Sequence, residues 1–354
     1  MSEMETGQDG VSDDAAVEHF SSKTFTITSY GADYPVDALV KRMKNETYFV
    51  PPFQRLYVWS QRQASRFIES LLLGLPVPGI FVFKEENSSR HLIIDGQQRL
   101  KTLQFFYQNS FKDKSFRLID VRDEWEGKTY DELADQDRQR LDDSIVHTTI
   151  FRQESPDDNQ SIYEVFERIN SGGMKLSAQE IRSCVNFGTA TNALNRLNEN
   201  VDWRKIFGKK SNRLKDQELV LRFLALGSDY DSYKKPMSGF LNGYMEKMGT
   251  FSAEEIENYS DLWNRTISFC REHLGAKIFR PGGPLNAAVF DSVTVAISQR
   301  IEHGNVDRPE KAIEIYRGLI GDEKFKDAYE RGTSDEERVK LRINMAINSF
   351  SELP

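Results

Sequence analysis

The sequence has few cysteines, no long apolar run and little basic character at its start. Its two cysteines, Cys184 and Cys270, stand far apart in helical patterns, which excludes a disulfide framework and a zinc site built on paired thiolates. No run of about 18 apolar residues is available to cross a bilayer. The acidic N-terminus also lacks the basic and apolar segments of a secretory signal. We therefore expect a cytoplasmic protein without membrane contact.

The net charge of −8 is concentrated at the N-terminus, where residues 1–22 contain six acids and no lysine or arginine. Subtracting these six charges leaves −2 for the rest of the chain. An acidic, polar segment of this kind cannot bury enough apolar surface to offset its ordering entropy, so we predict a disordered tail over residues 1–22. Because the remainder is nearly neutral, attraction to nucleic acid must come from local patches.

Strand and helix patterns alternate as far as residue 155, whereas strand signals nearly vanish afterwards. The pattern predicts an α+β protein in which a mixed α/β unit, residues 23–155, packs on a helical domain, residues 156–354. Capping boxes begin two helices, at Ser60 and at Ser177. The expected strands are 25–29, 48–53, 80–84, 91–95, 116–121 and 145–151, and the expected helices are 35–45, 61–73, 97–109, 130–143, 158–169, 189–199, 215–226, 237–248, 252–274, 285–302, 308–320 and 334–350.

The most informative segment is Ile93-Ile94-Asp95-Gly96-Gln97-Gln98-Arg99, in which an apolar strand turns at once into a helix. Gly96 permits the tight turn. The first N–H groups of a helix have no intrahelical partner and carry partial positive charge, so they form an anion site. Arg99 adds a charged fork that can grip a phosphate. The segment therefore predicts a phosphate-binding turn.

A plain helix cap at Asp95 is the alternative interpretation of this segment. We favour a functional site, because two amides and an arginine crowd the first helical turn although a cap requires only one side chain. Gln97 and Gln98 could orient a water molecule or bind a nucleotide edge. Asp95 could hold a divalent metal ion or accept a proton.

Two other stretches stand out, Phe49–Trp59 with Gln54 and Arg55, and Phe166–Gly173 with Arg168 and Asn170. Together with the Asp95–Arg99 motif they resemble the N-terminal domain of GmrSD-type modification-dependent restriction systems, a relative of the ParB and sulfiredoxin folds, over roughly residues 25–350. The resemblance implies a nucleoside triphosphate bound with Mg²⁺. The implied nucleotide-binding residues are Gln54, Arg55, Gly96, Gln97, Arg99, Arg168 and Asn170. The implied catalytic residues are Asp95, Gln97, Gln98 and Arg99, with Asp95 as the metal ligand.

A basic run without acids follows in the helical part and consists of Lys205, Lys209, Lys210, Arg213 and Lys215. Such runs are commonly solvated helix faces. The functional alternative is contact with nucleic-acid phosphates, with Trp203 and Phe207 available for stacking on bases.

The leading hypothesis is a nucleotide-binding and nucleotide-hydrolysing sensor or regulator in a prokaryotic restriction or anti-phage system. The alternatives are a ParB-like DNA-binding protein with nucleotide as a conformational ligand, and a ParB-like nuclease. Full-length GmrSD-type proteins add a His-Asn-His nuclease domain that this sequence does not show, so we expect any cleavage to come from a separate nuclease subunit. The oligomeric state stays open, and no Walker loop is present.

Overall fold

The structure, a computed structural model, describes residues 27–50, 57–84, 89–153, 159–169 and 176–354. From Ser22 onward, contacts divide the chain into two compact units, Ser22–Leu176 and Ser177–Pro354. A mixed sheet in the first unit and helices in the second confirm the predicted α+β class. Our predicted boundary was 155/156. The helix between that position and residue 176, Asn159–Ile169, packs against the strand His91–Asp95 of the first unit. The predicted tail, residues 1–22, lies outside the described residues.

The first unit is built on a five-stranded sheet with the order β1-β5-β3-β4-β2. Its elements are β1 Ile27–Pro35, α1 Val36–Lys44, β2 Tyr48–Phe49, α2 Gln61–Leu72, β3 Ile80–Lys84, β4 His91–Asp95, α3 Gln97–Tyr107, α4 Asp135–Asp142, β5 Ile145–Gln153 and α5 Asn159–Ile169. Strand β4 pairs antiparallel with β3 and parallel with β2. Strand β5 pairs parallel with β3 and antiparallel with β1.

Helices α1, α2 and α3 share one apolar core with the sheet, because their buried residues and those of β3, β4 and β5 form a single cluster. The predicted capping box at Ser60 is present and begins α2. The sheet is strongly curled, since Tyr34 of edge strand β1 and Tyr48 of edge strand β2 have ring centroids only 6.2 Å apart. The Arg42 guanidinium lies over both rings, at 4.5 and 5.3 Å, which is a favourable cation–π arrangement.

The strand predicted over 116–121 is wrong, because this stretch is a buried loop. Phe116 and Leu118 are fully buried, which produces the strand-like alternation of the sequence. Their backbone groups join no ladder. Instead, Leu118 exchanges hydrogen bonds with Lys128 and Gly127, at 2.9 and 2.8 Å. Alternating burial alone therefore does not require a sheet.

The second unit is helical throughout its described length. Its helices are α6 Ala178–Val185, α7 Thr189–Asn198, α8 Val201–Phe207, α9 Lys215–Asp229, α10 Met237–Gly249, α11 Ala253–Phe269, α12 Ala287–Glu302, α13 Ala312–Gly321, α14 Glu323–Glu330 and α15 Glu336–Ser351. A π-helical turn, Cys270–Leu274, extends α11. The capping box predicted at Ser177 begins α6, whereas α8 and α14 were not predicted.

Helix α12 lies at the centre of this unit and packs against α9, α11 and α15. Asp291 of α12 is fully buried between two arginines. It accepts hydrogen bonds from Arg222 at 3.0 and 2.6 Å and lies 3.4 Å from Arg342. Burial lowers the pKa of Arg342 to about 10. Among the described helices, none is both long enough and apolar enough to span a membrane.

Candidate functional site

The turn from β4 into α3 strongly favours glycine. Gly96 has φ +96°, in the left-handed region that disfavours side chains. A Cβ atom placed on it would lie 2.4 Å from Cγ2 of Ile80 on the neighbouring strand β3. The glycine therefore lets the chain reverse within one residue while α3 begins close against the sheet.

The start of α3 has no side-chain cap, because its N-cap residue is Gly96. Helices α2, α6 and α11, in contrast, each begin with a serine capping box. The first-turn N–H groups of any α-helix lack intrahelical acceptors and sit at the positive end of the macrodipole. The α3 start thus offers backbone donors and partial positive charge to an anion.

Arg99 stands in this first turn and forms an ion pair with Asp95 at the end of β4. The Arg99 Nη2 to Asp95 Oδ2 distance is 2.7 Å, and the two side chains are 13% and 46% exposed. In the described part of the chain, the other guanidinium donors of Arg99 have no protein acceptor. The pair therefore fixes the orientation of Arg99 and leaves donors for a second anion.

Hydrogen bonds to the Gln98 side chain connect the segment before α2 to the start of α3. Its Oε1 accepts hydrogen bonds from the backbone N–H groups of Val58 and Trp59, at 2.9 and 3.2 Å. One turn later, the hydroxyls of Thr102 and Tyr57 are 2.8 Å apart, and burial raises the pKa of Tyr57 to about 12. These contacts join residues about 40 positions apart, so no local pattern in the sequence indicated this structural role for Gln98.

The comparison with protein families identifies the segment that contains this turn. Residues 36–187 match the model of the GmrSD restriction endonuclease, N-terminal domain. This segment is therefore similar to a GmrSD-type N-terminal domain. The match confirms the resemblance deduced from the motifs, although it covers less than half of the chain and less than the range of about 25–350 that we expected. A comparison with curated proteins found no match.

The structure describes the consecutive site residues Asp95, Gly96, Gln97, Gln98 and Arg99 at the turn from β4 into α3, and it describes only part of the remaining predicted site. Gln54, Arg55 and Asn170 lie outside the described residues. Arg168 lies on α5, which packs against β4. Its side chain is 63% exposed and 3.4 Å from Glu164, and it has a further interaction partner. Whether Arg55 and Arg168 approach Arg99 stays a prediction.

The metal site proposed at Asp95 has no ready-made cage of protein ligands. Within residues that the structure describes, no group of three histidine, cysteine or acidic side chains is placed to hold a metal ion. Mg²⁺ suits this arrangement better than zinc does, because it is commonly bound by one or two carboxylates together with substrate phosphates. Asp95, which is half-exposed, fits such a single-carboxylate role.

Most of the predicted nucleic-acid-binding cations are engaged within the second unit. Lys205 pairs with Asp202 at 3.1 Å, Lys210 pairs with Glu199, and Arg213 approaches Glu180 at 3.4 Å. Lys215 also has an interaction partner. Lys209 has no acidic partner in the part of the chain that the structure covers. The two lysine pairs lie at the surface and are weak, so they reduce the availability of these lysines without abolishing it. The Glu180 partner of Arg213, in contrast, is fully buried.

Trp203 is not available for stacking on bases, so the prediction is wrong for this residue. Trp203 is fully buried and donates from Nε1 to Asn198 at 2.9 Å. Phe207 packs against the same apolar core. Trp203 and Phe207 stand four residues apart on the short helix α8, a spacing that indicates a core face as well as a stacking platform. Phe207 is only partly buried, so its role in stacking stays a prediction.

Proposed function

We propose that this chain binds and hydrolyses a nucleoside triphosphate as a sensor or regulatory module of a prokaryotic modification-dependent restriction or anti-phage system. The family match over residues 36–187 supports a component of a restriction system. One observation carries the finer proposal. The uncapped start of α3 places backbone donors beside Arg99, which Asp95 holds in position and which keeps unused donors. Such a site is suited to a phosphate chain.

In this proposal the terminal phosphates lie against the backbone from Gly96 to Gln98, and Arg99 contacts a phosphate oxygen. A charge-assisted contact of this kind is worth roughly 1.5–3 kcal/mol. When bound, Mg²⁺ neutralises phosphate charge, and Asp95 is the carboxylate that would hold it. Gln97 or Gln98 orients the attacking water, although Oε1 of Gln98 already accepts hydrogen bonds from two backbone donors.

Hydrolysis then requires one proton transfer. A water oxygen bonds to the γ-phosphorus while the bond from that phosphorus to the bridging oxygen breaks, which yields a nucleoside diphosphate and inorganic phosphate. Asp95, with one oxygen directed to Arg99 and nearly half its surface exposed, either holds Mg²⁺ or accepts the proton released by the water.

Phosphate release by purified Asp95→Ala and Arg62→Ala proteins tests this assignment. Arg62 is a suitable control, because it is an exposed arginine of the same unit that pairs with Asp120 at 2.8 Å. We expect the Asp95 variant to bind nucleotide without turnover, and the Arg62 variant to behave as wild type. Equal phosphate release by wild type and Asp95→Ala would contradict the catalytic role.

The two alternatives predicted from the sequence give different outcomes in the same assay. A ParB-like DNA-binding protein would bind nucleotide without releasing phosphate, and a ParB-like nuclease would nick plasmid DNA in a metal-dependent way that Arg99→Ala abolishes. In our proposal, the run from Lys205 to Lys215 contacts DNA weakly. A separate nuclease subunit in the cytoplasm cleaves the DNA.

A further inference from the structure

An open groove of about 470 Å³ lies within the second unit, between α13 and the loop that follows the π-helical turn. Its charged lining residues in the described part of the chain are all cations, namely Lys277, Arg280 and Arg317. Two acids of the adjoining segments, Glu272 and Glu314, are not among the residues that line it. In a chain with a net charge of −8, this groove is a local cationic site.

The floor of the groove is apolar and is held in place by the opposite wall. Ile313, Tyr316 and Ile320 follow one another at three and four residues on α13, so they share one face of that helix. The Tyr316 hydroxyl donates to the backbone carbonyl of Ile278 in the loop. Ile313 and Ile320 are only partly buried, so the preformed floor offers apolar surface to a ligand.

The three cations of the groove differ in their availability. Arg280 donates to the carbonyls of Ile206 and Phe207, at 2.8 and 3.1 Å. These carbonyls end α8, at the negative pole of that helix, so the Arg280 guanidinium is fixed and its charge is partly compensated. Lys277 and Arg317 are exposed, and among the described residues neither has an acidic partner. These two side chains can therefore pair with the acids of a ligand.

The shape and lining of the groove favour a protein segment as the ligand. Pockets for small molecules enclose most of the ligand surface, whereas this groove is open. Single-stranded nucleic acids bind to rows of cations and to exposed rings on which bases stack. Here the aromatic lining residue, Tyr316, is buried, and the apolar surface beside it is aliphatic. An aliphatic floor between two free cations is complementary to a segment with apolar anchors and flanking acids.

The dimensions of the floor match an amphipathic helix. Seven residues separate Ile313 from Ile320 on α13, which is about 10 Å of helix axis at 1.5 Å per residue. Two turns of a ligand helix cover this length, and they present apolar side chains three and four residues apart on one face. Acids on the two flanks of that face would then lie next to Lys277 in the loop and Arg317 on α13.

We propose that this groove binds an acidic amphipathic helix of a separate protein. The apolar side chains of that helix contact Ile313 and Ile320 on the floor. Its flanking carboxylates pair with Lys277 and Arg317. The groove shares no residue with the α3 turn, and the proposal does not depend on nucleotide binding, so either proposal can fail without the other.

Fluorescence anisotropy with the full chain and three labelled peptides of equal length tests the proposed ligand class. The first peptide is a stapled helix with leucines at spacings of three and four and glutamates on the other faces. The second has the same composition in scrambled order, and the third has lysine in place of glutamate. We expect saturable, salt-sensitive binding of the first peptide, at least about tenfold weaker binding of the second, and no binding of the third.

Matched charge reversals show whether the two free cations are responsible. Lys277→Glu with Arg317→Glu should weaken binding of the first peptide at least about tenfold. Lys247→Glu with Lys324→Glu changes the net charge equally at exposed positions outside the groove and should leave the affinity unchanged. Melting temperatures of both double variants, compared with wild type, establish that each is folded.

A second pair of variants tests the apolar floor. Ile313 and Ile315 are both partly buried residues of α13 that pack against the core, but only Ile313 is among the lining residues of the groove. Ile313→Ser should therefore weaken binding of the first peptide, whereas Ile315→Ser should leave it unchanged at a comparable loss of melting temperature.

Four results would overturn the proposal. They are no saturable binding of the first peptide up to about 1 mM, equal binding of the first and scrambled peptides, equal affinities within either pair of matched variants, and tighter binding of a labelled single-stranded oligonucleotide that Lys277→Glu with Arg317→Glu abolishes. The last result would assign the groove to nucleic acid instead of a protein helix.

Discussion

Replacing Gly96 with alanine probes the turn on which the proposed site depends. The substitution destabilises the folded state in two separate ways. The residue must keep φ +96°, and its new Cβ would lie 2.4 Å from Cγ2 and 2.9 Å from Cβ of Ile80. Both atoms belong to the short, branched side chain of Ile80, which is itself buried in β3. This side chain cannot easily move away.

The expected loss in the free energy of unfolding is the sum of these two costs. The left-handed conformation costs a residue with a side chain about 1–2 kcal/mol. Forcing an extra methyl group into a packed contact costs about 1–3 kcal/mol more. Gly96→Ala should therefore reduce the free energy of unfolding of the first unit by roughly 2–5 kcal/mol, a large part of the roughly 5–15 kcal/mol that is typical of a domain.

Gly127→Ala is the matched control for backbone conformation. Gly127 lies in the same unit with φ +72°, and a Cβ atom there would meet nothing within 4 Å. It should lose only about 1–2 kcal/mol. Urea unfolding of both variants, followed by hydrogen exchange of peptides from the first unit, measures the difference without assuming that the two units unfold together.

A double-mutant cycle assigns the excess cost to the contact with Ile80. Ile80→Ala removes Cγ2, so Gly96→Ala should cost about 1–2 kcal/mol less in that background than in wild type. If Gly96→Ala and Gly127→Ala cost the same, or if the Ile80 background changes nothing, the close approach of the turn to β3 is refuted.

Three other predictions concern the buried aspartate, a histidine and the basic run. Asp291→Ala leaves two buried arginines without their carboxylate and should cost roughly 3–5 kcal/mol in urea unfolding of the second unit; a cost below 1 kcal/mol would contradict this. Burial lowers the pKa of His91 from 6.5, so the unfolded state binds more protons just below that pH. Stability should then fall as the pH drops through 6.5, and His91→Gln should remove that part of the dependence in thermal melts. Lys209→Glu with Lys210→Glu should weaken DNA binding equally for unrelated duplexes in a salt titration, whereas a change in sequence preference would contradict phosphate contact.

Local signals in the sequence predicted much of the fold. The capping boxes at Ser60 and Ser177 involve residues three positions apart, so the sequence displays both partners. The turn at Gly96 was likewise predictable, because an apolar strand, a glycine and an apolar helix follow without interruption. Such signals depend on neighbours along the chain, and tertiary contacts did not override them here.

Tertiary contacts account for what the sequence did not predict. The bonds from Gln98 to Val58 and Trp59 join two segments that no local pattern relates. Likewise, the burial of Trp203 depends on packing against helices elsewhere in the second unit. The false strand at 116–121 arose because burial against a core alternates in a loop as it does in a sheet.

The central claim is that the start of α3 holds a nucleoside triphosphate through Arg99. Thermal shift with the four nucleoside triphosphates and Mg²⁺, on wild type, Arg99→Ala and Arg62→Ala, tests it most directly. At about a hundred times the dissociation constant, binding adds about 2.7 kcal/mol of apparent stability. We expect this shift for at least one triphosphate in wild type and Arg62→Ala, and an affinity about 10- to 150-fold lower in Arg99→Ala. No shift in wild type at millimolar concentration, or equal affinity in Arg99→Ala, would contradict the account.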